Sequence, residues 1–171
     1  MNKETTLHFF CGKMASGKST LAKEIAEKNN AILLSEDQWL ENLYPEEITD
    51  IPEYLRCSSR LKNILSGHIR ELFSHKISVV LDFPGNTKGQ RNWFRSIYEK
   101  EGVAHALHFI DASDEICKSQ LKKRSDNKPD GAAFTTDEEF EAITKYFQEP
   151  SENEGFNIIR YERKTVPIKA N

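Results

Sequence analysis

The sequence predicts a single α/β domain, residues 1–171, in which helices cover both faces of a mostly parallel β-sheet. Two observations carry this prediction. Short apolar runs alternate along the chain with longer amphipathic segments, which is the order of elements expected for parallel strands joined by crossover helices. The length of 171 residues also suits one hydrophobic core and is short for two domains.

The spacing of apolar residues predicts the first elements. The run Leu7–Cys11 ends at a glycine and is typical of a buried strand. After Lys18, apolar residues recur at the three- and four-residue spacing of one helical face, which predicts the first helix. Ala31–Leu34 is a second apolar run, and Gln38–Leu43 is long enough for one or two helical turns. The chain therefore begins strand, helix, strand, helix.

The rest of the chain continues this alternation. The pattern predicts a helix at 52–75, a strand at Ile77–Leu81, a helix at 87–100, a strand at Val103–Ile110, a helix at Asp114–Arg124, a helix from Thr135 to about Phe147 and a last strand at Phe156–Arg160. Two helix starts carry capping-box signatures, Thr87-x-x-Gln90 and Thr135-x-x-Glu138. In such sheets, ligands bind beyond the carboxyl ends of the strands.

Composition and charge exclude several classes of function. A net charge of −3 gives no general attraction to nucleic acid or to an anionic membrane, so local basic groups must hold any anionic ligand. No apolar run approaches the roughly 20 residues that span a bilayer, and the N-terminus lacks the features of a secretory signal. The three cysteines fit neither a disulfide framework nor a zinc site. We expect a cytoplasmic protein, monomeric or homodimeric, without a membrane partner.

The most specific motif is a glycine-rich loop between the first strand and the first helix. Its residues fit G-x-x-x-x-G-K-[ST] at every fixed position, and they are Gly12, Lys13, Met14, Ala15, Ser16, Gly17, Lys18 and Ser19. In this motif backbone N–H groups point at a β-phosphate, Lys18 reaches the β- and γ-phosphates, and Ser19 coordinates Mg²⁺. Lys13 fits a solvated loop residue better than a catalytic one, and Thr20 could assist at the α-phosphate. The motif predicts a site for ATP and Mg²⁺.

Asp37 follows the second predicted strand and should face the γ-phosphate across the cleft. A kinase needs a carboxylate there to accept the proton of the acceptor hydroxyl and to orient its oxygen for in-line attack. Two alternatives remain open. Asp37 could instead be the N-cap of the helix at Gln38–Leu43, and Glu36 could be the base.

Asp82 ends the apolar run of the third predicted strand. A carboxylate at this position, near a phosphate-binding loop, holds Mg²⁺ directly or through water. The alternative is an aspartate that only forms a turn. Because the loop on the first strand already predicts a nucleotide, the metal-binding interpretation of Asp82 is favoured.

Two short segments resemble GTPase signatures. Residues 82–85 match DxxG, and residues 127–130 match NKxD. The guanine-reading NKxD of GTPases follows a buried apolar strand, whereas here it follows the charged end of a predicted helix. We therefore interpret the NKxD match as accidental and expect ATP rather than GTP.

A basic cluster leads into a polar stretch that we predict to be a lid, at about 122–136. The cluster comprises Lys122, Lys123, Arg124 and Lys128. A lid that closes over ATP excludes water and brings cations to the transferring phosphoryl group. Arg124 is assigned the charge-stabilising role because its fork grips two phosphate oxygens, with Lys128 as helper; a solvated helix end is the alternative. Arg91, near Asp82, is either an acceptor contact or a surface residue.

With these features in this order, the chain resembles the small predicted-kinase branch of the AAA-type P-loop families. That branch includes the kinase domain of phage polynucleotide kinase and, more distantly, zeta toxins and chloramphenicol phosphotransferase. The resemblance covers about Leu7 to Tyr161 and rests on the phosphate loop, SEDQWL, DFPGNTKGQRNWF and residues 121–150. It implies a five-stranded P-loop NTPase sheet in the order 2-3-1-4-5, with Asp37 as the base and Arg124 in the lid. The chain departs from polynucleotide kinase at Leu40, where that enzyme has an arginine that holds the acceptor's phosphate.

We therefore expect an ATP-dependent phosphotransferase that acts on a hydroxyl group, with a small molecule as the favoured acceptor. Phosphorylation of a 5′-hydroxyl on a nucleotide or nucleic acid is the alternative among enzymes, although nucleic acid is not the favoured partner. A nucleotide-binding switch with slow ATP hydrolysis is the alternative from a different class.

Overall fold

The described part of the protein, residues 4–126 and 135–164 of a computed structural model, is built on a five-stranded sheet. The strands are β1 (Thr6–Cys11), β2 (Ile32–Ser35), β3 (Val79–Pro84), β4 (Ala104–Ala112) and β5 (Ile158–Arg163). Their order is β2-β3-β1-β4-β5, and every pairing is parallel. The predicted parallel α/β architecture and strand order are confirmed.

Six α-helices connect or follow these strands in the described residues. They are α1 (Lys18–Asn29), α2 (Glu36–Leu43), α3 (Ile51–Ser74), α4 (Lys88–Glu101), α5 (Asp114–Ser125) and α6 (Asp137–Thr144), and a short 3₁₀ turn spans Glu152–Glu154. None of the helices in the described ranges is long and apolar enough to cross a membrane.

The sheet is covered on both faces because alternate residues of each strand point to opposite sides. On β1, Leu7 and Phe9 join a large cluster with α3 and α4, whereas Phe10 joins a smaller cluster with α1. Each fully buried large apolar side chain contributes about 1.5–3 kcal/mol relative to exposure. These two clusters fix the strand ends, and therefore the residues that follow them.

Two predicted helix starts were marked by capping boxes, and one is placed correctly. Thr87 accepts a hydrogen bond from the Gln90 N–H, and the Gln90 side chain accepts one from the Thr87 N–H. The second box is one residue later than predicted, because Thr136 and Glu139 make the reciprocal bonds. Two adjacent threonines each have an acidic residue three positions later, so the sequence pattern fits a capping box at either threonine.

Strand β5 begins and ends later than the predicted Phe156–Arg160. It pairs with β4 alone, from Ile158 to Arg163, and so forms one edge of the sheet. An edge strand tolerates charged residues that a central strand does not. Because the prediction relied on apolar residues, it ended the strand before the charged residues 162 and 163. The extension matters because it brings Arg163 to the end of the sheet where the phosphate loop lies.

Candidate active site

The glycine-rich loop lies between β1 and α1, at the carboxyl end of the central strand. Ala15 and Gly17 have positive φ values of 59° and 104°. A Cβ on Gly12 would lie 2.7 Å from the Ser16 hydroxyl and 3.0 Å from the Ile110 carbonyl oxygen, so only glycine fits there without a shift. The loop therefore has the tight path that turns consecutive N–H groups to one side.

Helix α1 begins at this loop without a side-chain cap of its own. Its N-cap, Gly17, makes no side-chain hydrogen bond, and the first turn contains no acidic residue. Helix α2, which also begins beside the cleft, differs, since it carries two acidic residues in its first turn. Free N–H groups and the helix dipole favour an anion at the start of α1.

Lys18 folds back over the loop. Its Nζ donates to the carbonyl oxygens of Gly12, at 2.5 Å, and Lys13, at 2.8 Å. Removal from water lowers the pKa of Lys18, and the neighbouring Cys11, Asp82 and Asp37 oppose that shift. The amine is thus held directly above the loop, where a phosphate can replace the two carbonyls.

Asp82, near the end of β3, accepts a hydrogen bond from Ser19 in the first turn of α1. Burial raises the pKa of Asp82, and the Ser19 bond opposes this. Asp37 raises the pKa further through charge repulsion, while Lys18 and Arg124 lower it. The Asp82 carboxylate and the Ser19 hydroxyl lie side by side, and both are oxygen ligands of the kind that Mg²⁺ prefers.

This pair fits a magnesium ion that is held mainly by phosphate and water. Among the described residues there is no group of three or more His, Cys, Asp or Glu side chains that could hold a metal alone. Mg²⁺ commonly uses one or two protein ligands and completes its shell with substrate phosphates and water. Ser19 and Asp82 therefore remain the predicted metal residues.

Asp37 is an exposed residue in the first turn of α2. The helix begins at Glu36 with Ser35 as its N-cap, so the alternative role of Asp37 as N-cap is wrong. Strand β2 delivers it to the cleft, because Ser35 is paired in register with Asp82 on β3. Its charge acts on both Asp82 and Lys18. The structure thus brings the predicted base beside the phosphate loop and the predicted metal position.

Glu36, the competing candidate for the base, points the other way and is 1% exposed. Its Oε2 accepts a hydrogen bond from the Tyr54 hydroxyl at 2.6 Å, and its Oε1 accepts one from the Ser58 hydroxyl at 2.5 Å. Lys62 Nζ lies 3.7 Å from Oε1. These partners come from α3, so Glu36 attaches α2 to that helix and does not face the cleft.

Arg91 does not contact an acceptor, and it is not a surface residue. Its side chain is fully buried, and its Nε and Nη2 donate to the two carboxylate oxygens of Glu154, each at 2.8 Å. Its Nη1 donates to the carbonyl oxygens of Gly85 and Gln148, each at 2.9 Å. Arg91 therefore joins the segment after β3 to the segment before β5.

The predicted lid is described only in part. Arg124 is exposed in the last turn of α5, and its charge acts on Asp82. Lys128 and the NKxD segment 127–130 lie outside the described residues. The assignments of Arg124 and Lys128 therefore stay predictions.

Three further residues of the predicted nucleotide site have local partners. Lys13 forms an ion pair with Asp114 in the first turn of α5. Met14 packs against a small apolar cluster that contains Ala15 and Ile116. Ser16 has a buried hydroxyl without a hydrogen-bond partner among the described residues. The ion pair fastens the loop to α5, a contact that the sequence analysis did not foresee.

An open cleft lies beside the loop, between the ends of β4 and β5. Its lining residues are Lys13, Asp111, Ala112, Ser113, Ile116, Glu162, Arg163 and Lys164. The cleft adjoins the start of the phosphate loop through Lys13, so it is continuous with the candidate site. Sequence reasoning missed its β5 side because the predicted strand stopped at Arg160.

Solved structures share this fold at low sequence identity. A protein from Chloroflexus aurantiacus, whose kinase function is itself only inferred, superposes with a TM-score of 0.73 at 16% identity, covering 94% of this chain and 86% of that chain. Kti12 of Chaetomium thermophilum, in complex with ADP-AlF3, gives 0.66 at 13% identity, covering 92% and 89%. The Mycobacterium tuberculosis APS kinase CysC, in complex with AMPPNP and APS, gives 0.61 at 15% identity, covering 95% and 90%.

Sequence comparison gives two further results. A comparison with curated proteins finds no significant match. A family model described as an AAA domain matches residues 7–150, a range that contains the phosphate loop, Asp37, Asp82 and Arg124. Since this match covers most of the chain, the protein belongs to the AAA domain family AAA_33.

Proposed function

We propose that the protein is an ATP-dependent kinase that transfers the γ-phosphoryl group of ATP to a hydroxyl group of a small molecule. The observation that carries this proposal is the convergence of three chemical functions from three neighbouring strand ends. Lys18 follows β1, Asp82 lies near the end of β3 with Ser19 bound to it, and Asp37 follows β2. Kinase chemistry needs phosphate binding, a metal position and a proton acceptor in one site.

The loop and Lys18 bind and orient the nucleotide in this proposal. The N–H groups of residues 12–19 surround the β-phosphate, and the Lys18 amine exchanges the Gly12 and Lys13 carbonyls for phosphate oxygens. Ser19 and Asp82 hold Mg²⁺, which when bound neutralises charge on the β- and γ-phosphates. Little movement of the protein is required, since Lys18 already lies over the loop.

Asp37 receives the proton of the acceptor. The acceptor oxygen forms a bond to the γ-phosphorus, the bond to the β,γ-bridging oxygen breaks, and ADP leaves with that oxygen. The proton of the acceptor hydroxyl moves to the Asp37 carboxylate. Asp37 is exposed, so an acceptor can approach it. Arg124, with Lys128 as helper, closes over the phosphates and stabilises the charge that develops during transfer.

Two observations support a small molecule rather than nucleic acid as acceptor. The net charge of −3 offers no general attraction to a polyanion. Leu40, which stands where polynucleotide kinase has its phosphate-holding arginine, is buried in the core at 4% exposure and offers no cation to the cleft. The finer resemblance to phage polynucleotide kinase, zeta toxins and chloramphenicol phosphotransferase is part of this proposal and supports the reaction type more than the substrate. A gluconokinase from Sinorhizobium meliloti with the same fold is consistent with it.

The acceptor can be sought directly. Wild-type protein is incubated with Mg²⁺, ATP and fractionated metabolites, and products that gain one phosphoryl group are identified by mass spectrometry. We expect one class of hydroxyl compound to be phosphorylated and to accelerate ATP consumption. ATP should also outcompete GTP. If no fraction accelerates ATP consumption, the kinase proposal is wrong and a nucleotide switch takes its place; clear GTP preference contradicts our interpretation of residues 127–130.

The metal assignment has its own test. Asp82→Asn should raise the Mg²⁺ concentration that is needed for half-maximal turnover, because the amide is a weaker ligand than the carboxylate. Asp111→Asn is a control, since Asp111 lies in a different strand, β4, and pairs with Arg160. Unchanged Mg²⁺ dependence in Asp82→Asn contradicts the metal role.

A further inference from the structure

Arg163, the last residue of β5, lies against the phosphate loop. A Cβ built on Gly17 would be 2.6 Å from its Nη1, 2.7 Å from its Cζ and 2.9 Å from its Nη2. All three distances are below van der Waals contact, so the guanidinium plane occupies the space that the missing side chain of Gly17 leaves. The arginine thus meets the loop at the residue that caps α1.

The guanidinium of Arg163 adds a positive charge beside the start of α1. Gly17 precedes the uncapped, positive end of α1, and the first turn of that helix has no acidic residue. Around the buried Cys117 thiol, burial raises the pKa, while Lys13, Lys18 and Arg163 lower it. Lys13, Lys18 and Arg163 therefore lie near one region beside the loop, together with Asp114, the carboxylate partner of Lys13.

The neighbouring charged residues on β5 have ion-pair partners. Arg160 binds Asp111 and Glu149, and Glu162 binds Lys164. Within residues 4–126 and 135–164, Arg163 has no ion pair or hydrogen bond to a carboxylate. It is also only partly exposed, so water satisfies it less completely than it satisfies a surface arginine.

We propose that Arg163 binds the phosphate groups of the nucleotide, as a second cation that meets the loop at Gly17, whereas Lys18 lies over Gly12 and Lys13. This inference rests on the proposed function, because it takes the loop to be a nucleotide site. The planar fork of arginine matches two phosphate oxygens, which a single ammonium does not. An oxyanion in the loop would meet the N–H groups of α1, the Lys18 amine and the Arg163 fork together.

The test measures ADP·Mg²⁺ binding by isothermal titration calorimetry for the wild type and three variants. Arg163→Ala should weaken binding by roughly 10- to 100-fold, the usual effect of losing a charge-assisted contact. Arg163→Lys should fall between the wild type and Arg163→Ala, because it restores the charge without the fork. Arg160→Ala is the matched control on the same strand and should bind nearly as the wild type does, since its side chain is exposed and pairs away from the loop.

Lys18→Ala separates this inference from the function on which it rests. If Lys18→Ala loses ADP while Arg163→Ala binds normally or more tightly, the phosphate role of Arg163 is wrong and the nucleotide site stands. If the wild type binds no ADP, both proposals are wrong. If Arg160→Ala weakens binding as much as Arg163→Ala, the effect comes from the strand as a whole, and the direct contact is refuted. Circular dichroism of each variant verifies that it is folded.

Discussion

The adjacent carboxylates of Glu36 and Asp37 should respond differently when each is replaced by its amide: one substitution should affect stability and the other phosphoryl transfer. Glu36→Gln alters a carboxylate that is 1% exposed, whereas Asp37→Asn alters an exposed one. Each substitution keeps the size and shape of the side chain. We expect Glu36→Gln to reduce stability with little direct effect on transfer, and Asp37→Asn to reduce transfer with little effect on stability.

The magnitudes follow from the contacts. Glu36 accepts hydrogen bonds from Tyr54 at 2.6 Å and from Ser58 at 2.5 Å, and hydrogen bonds to a charged group contribute about 1.5–3 kcal/mol each. The amide retains one acceptor oxygen, so we expect a loss of about 2–3 kcal/mol of unfolding free energy. Asp37 loses only a favourable charge near the start of α2, which is less than about 1 kcal/mol. Its transfer rate should fall roughly 10²- to 10⁴-fold.

Urea unfolding and ATP turnover measure the two effects separately. Turnover is followed with the true acceptor or, in its absence, as the slow hydrolysis of ATP by water. It is measured without urea, at a temperature at which both variants are folded. Binding of ATP·Mg²⁺ should be nearly unchanged in Asp37→Asn, because no nucleotide contact is removed. The reasoning is refuted if Asp37→Asn transfers phosphate at a near-normal rate while Glu36→Gln does not.

Three further predictions concern stability and can be measured by urea unfolding. Gly102, the C-cap of α4, has a φ of 62° and open space around it, so Gly102→Ala should lower the free energy of unfolding by about 1–2 kcal/mol. Gly67→Ala, inside α3 and also in open space, should raise it by about 1 kcal/mol. Equal effects of the two substitutions would exclude backbone conformation as the cause. Arg91→Ala should cost about 3–5 kcal/mol because it leaves the Glu154 carboxylate without its buried partner, and a loss under about 1 kcal/mol contradicts the structural role. Burial, and secondly His8, lowers the pKa of His108 from 6.5 to about 4. Between these pH values the unfolded chain binds a proton at His108 and the folded chain does not, so the free energy of unfolding should fall by up to about 3 kcal/mol as the pH drops from 6.5 to 4. His108→Phe should lack that part of the acid dependence, and an unchanged pH profile would show that another group causes it.

Local sequence patterns were sufficient for the frame of the site. The phosphate loop is one continuous segment, and the reciprocal bonds between Thr87 and Gln90 span three residues, so both are encoded where they act. The positions of Asp37 and Asp82 followed from strand ends in a parallel sheet. This part of the fold could be predicted because neighbouring residues determine it.

The contacts that sequence reasoning missed join residues far apart in the chain. Glu36 meets Ser58, 22 residues later, and Arg91 meets Glu154, 63 residues later. A charged side chain gives no local sign that its partner will bury it, so Arg91 was interpreted as an acceptor or surface residue. Arg163 was missed because charged residues on an edge strand resemble a loop.

The central claim is that the loop at residues 12–19 drives ATP-dependent transfer, and Lys18→Ala tests it most directly. In the part of the chain that the structure describes, the Lys18 amine donates its hydrogen bonds to carbonyl oxygens of the loop itself, so its removal should leave the free energy of unfolding nearly unchanged. Lys23→Ala, on the exposed side of the same helix, is the matched control. The measurement is consumption of ATP in the presence of Mg²⁺ and the acceptor fraction. The account predicts that Lys18→Ala abolishes turnover while Lys23→Ala retains it; turnover at the wild-type rate in folded Lys18→Ala would contradict the account.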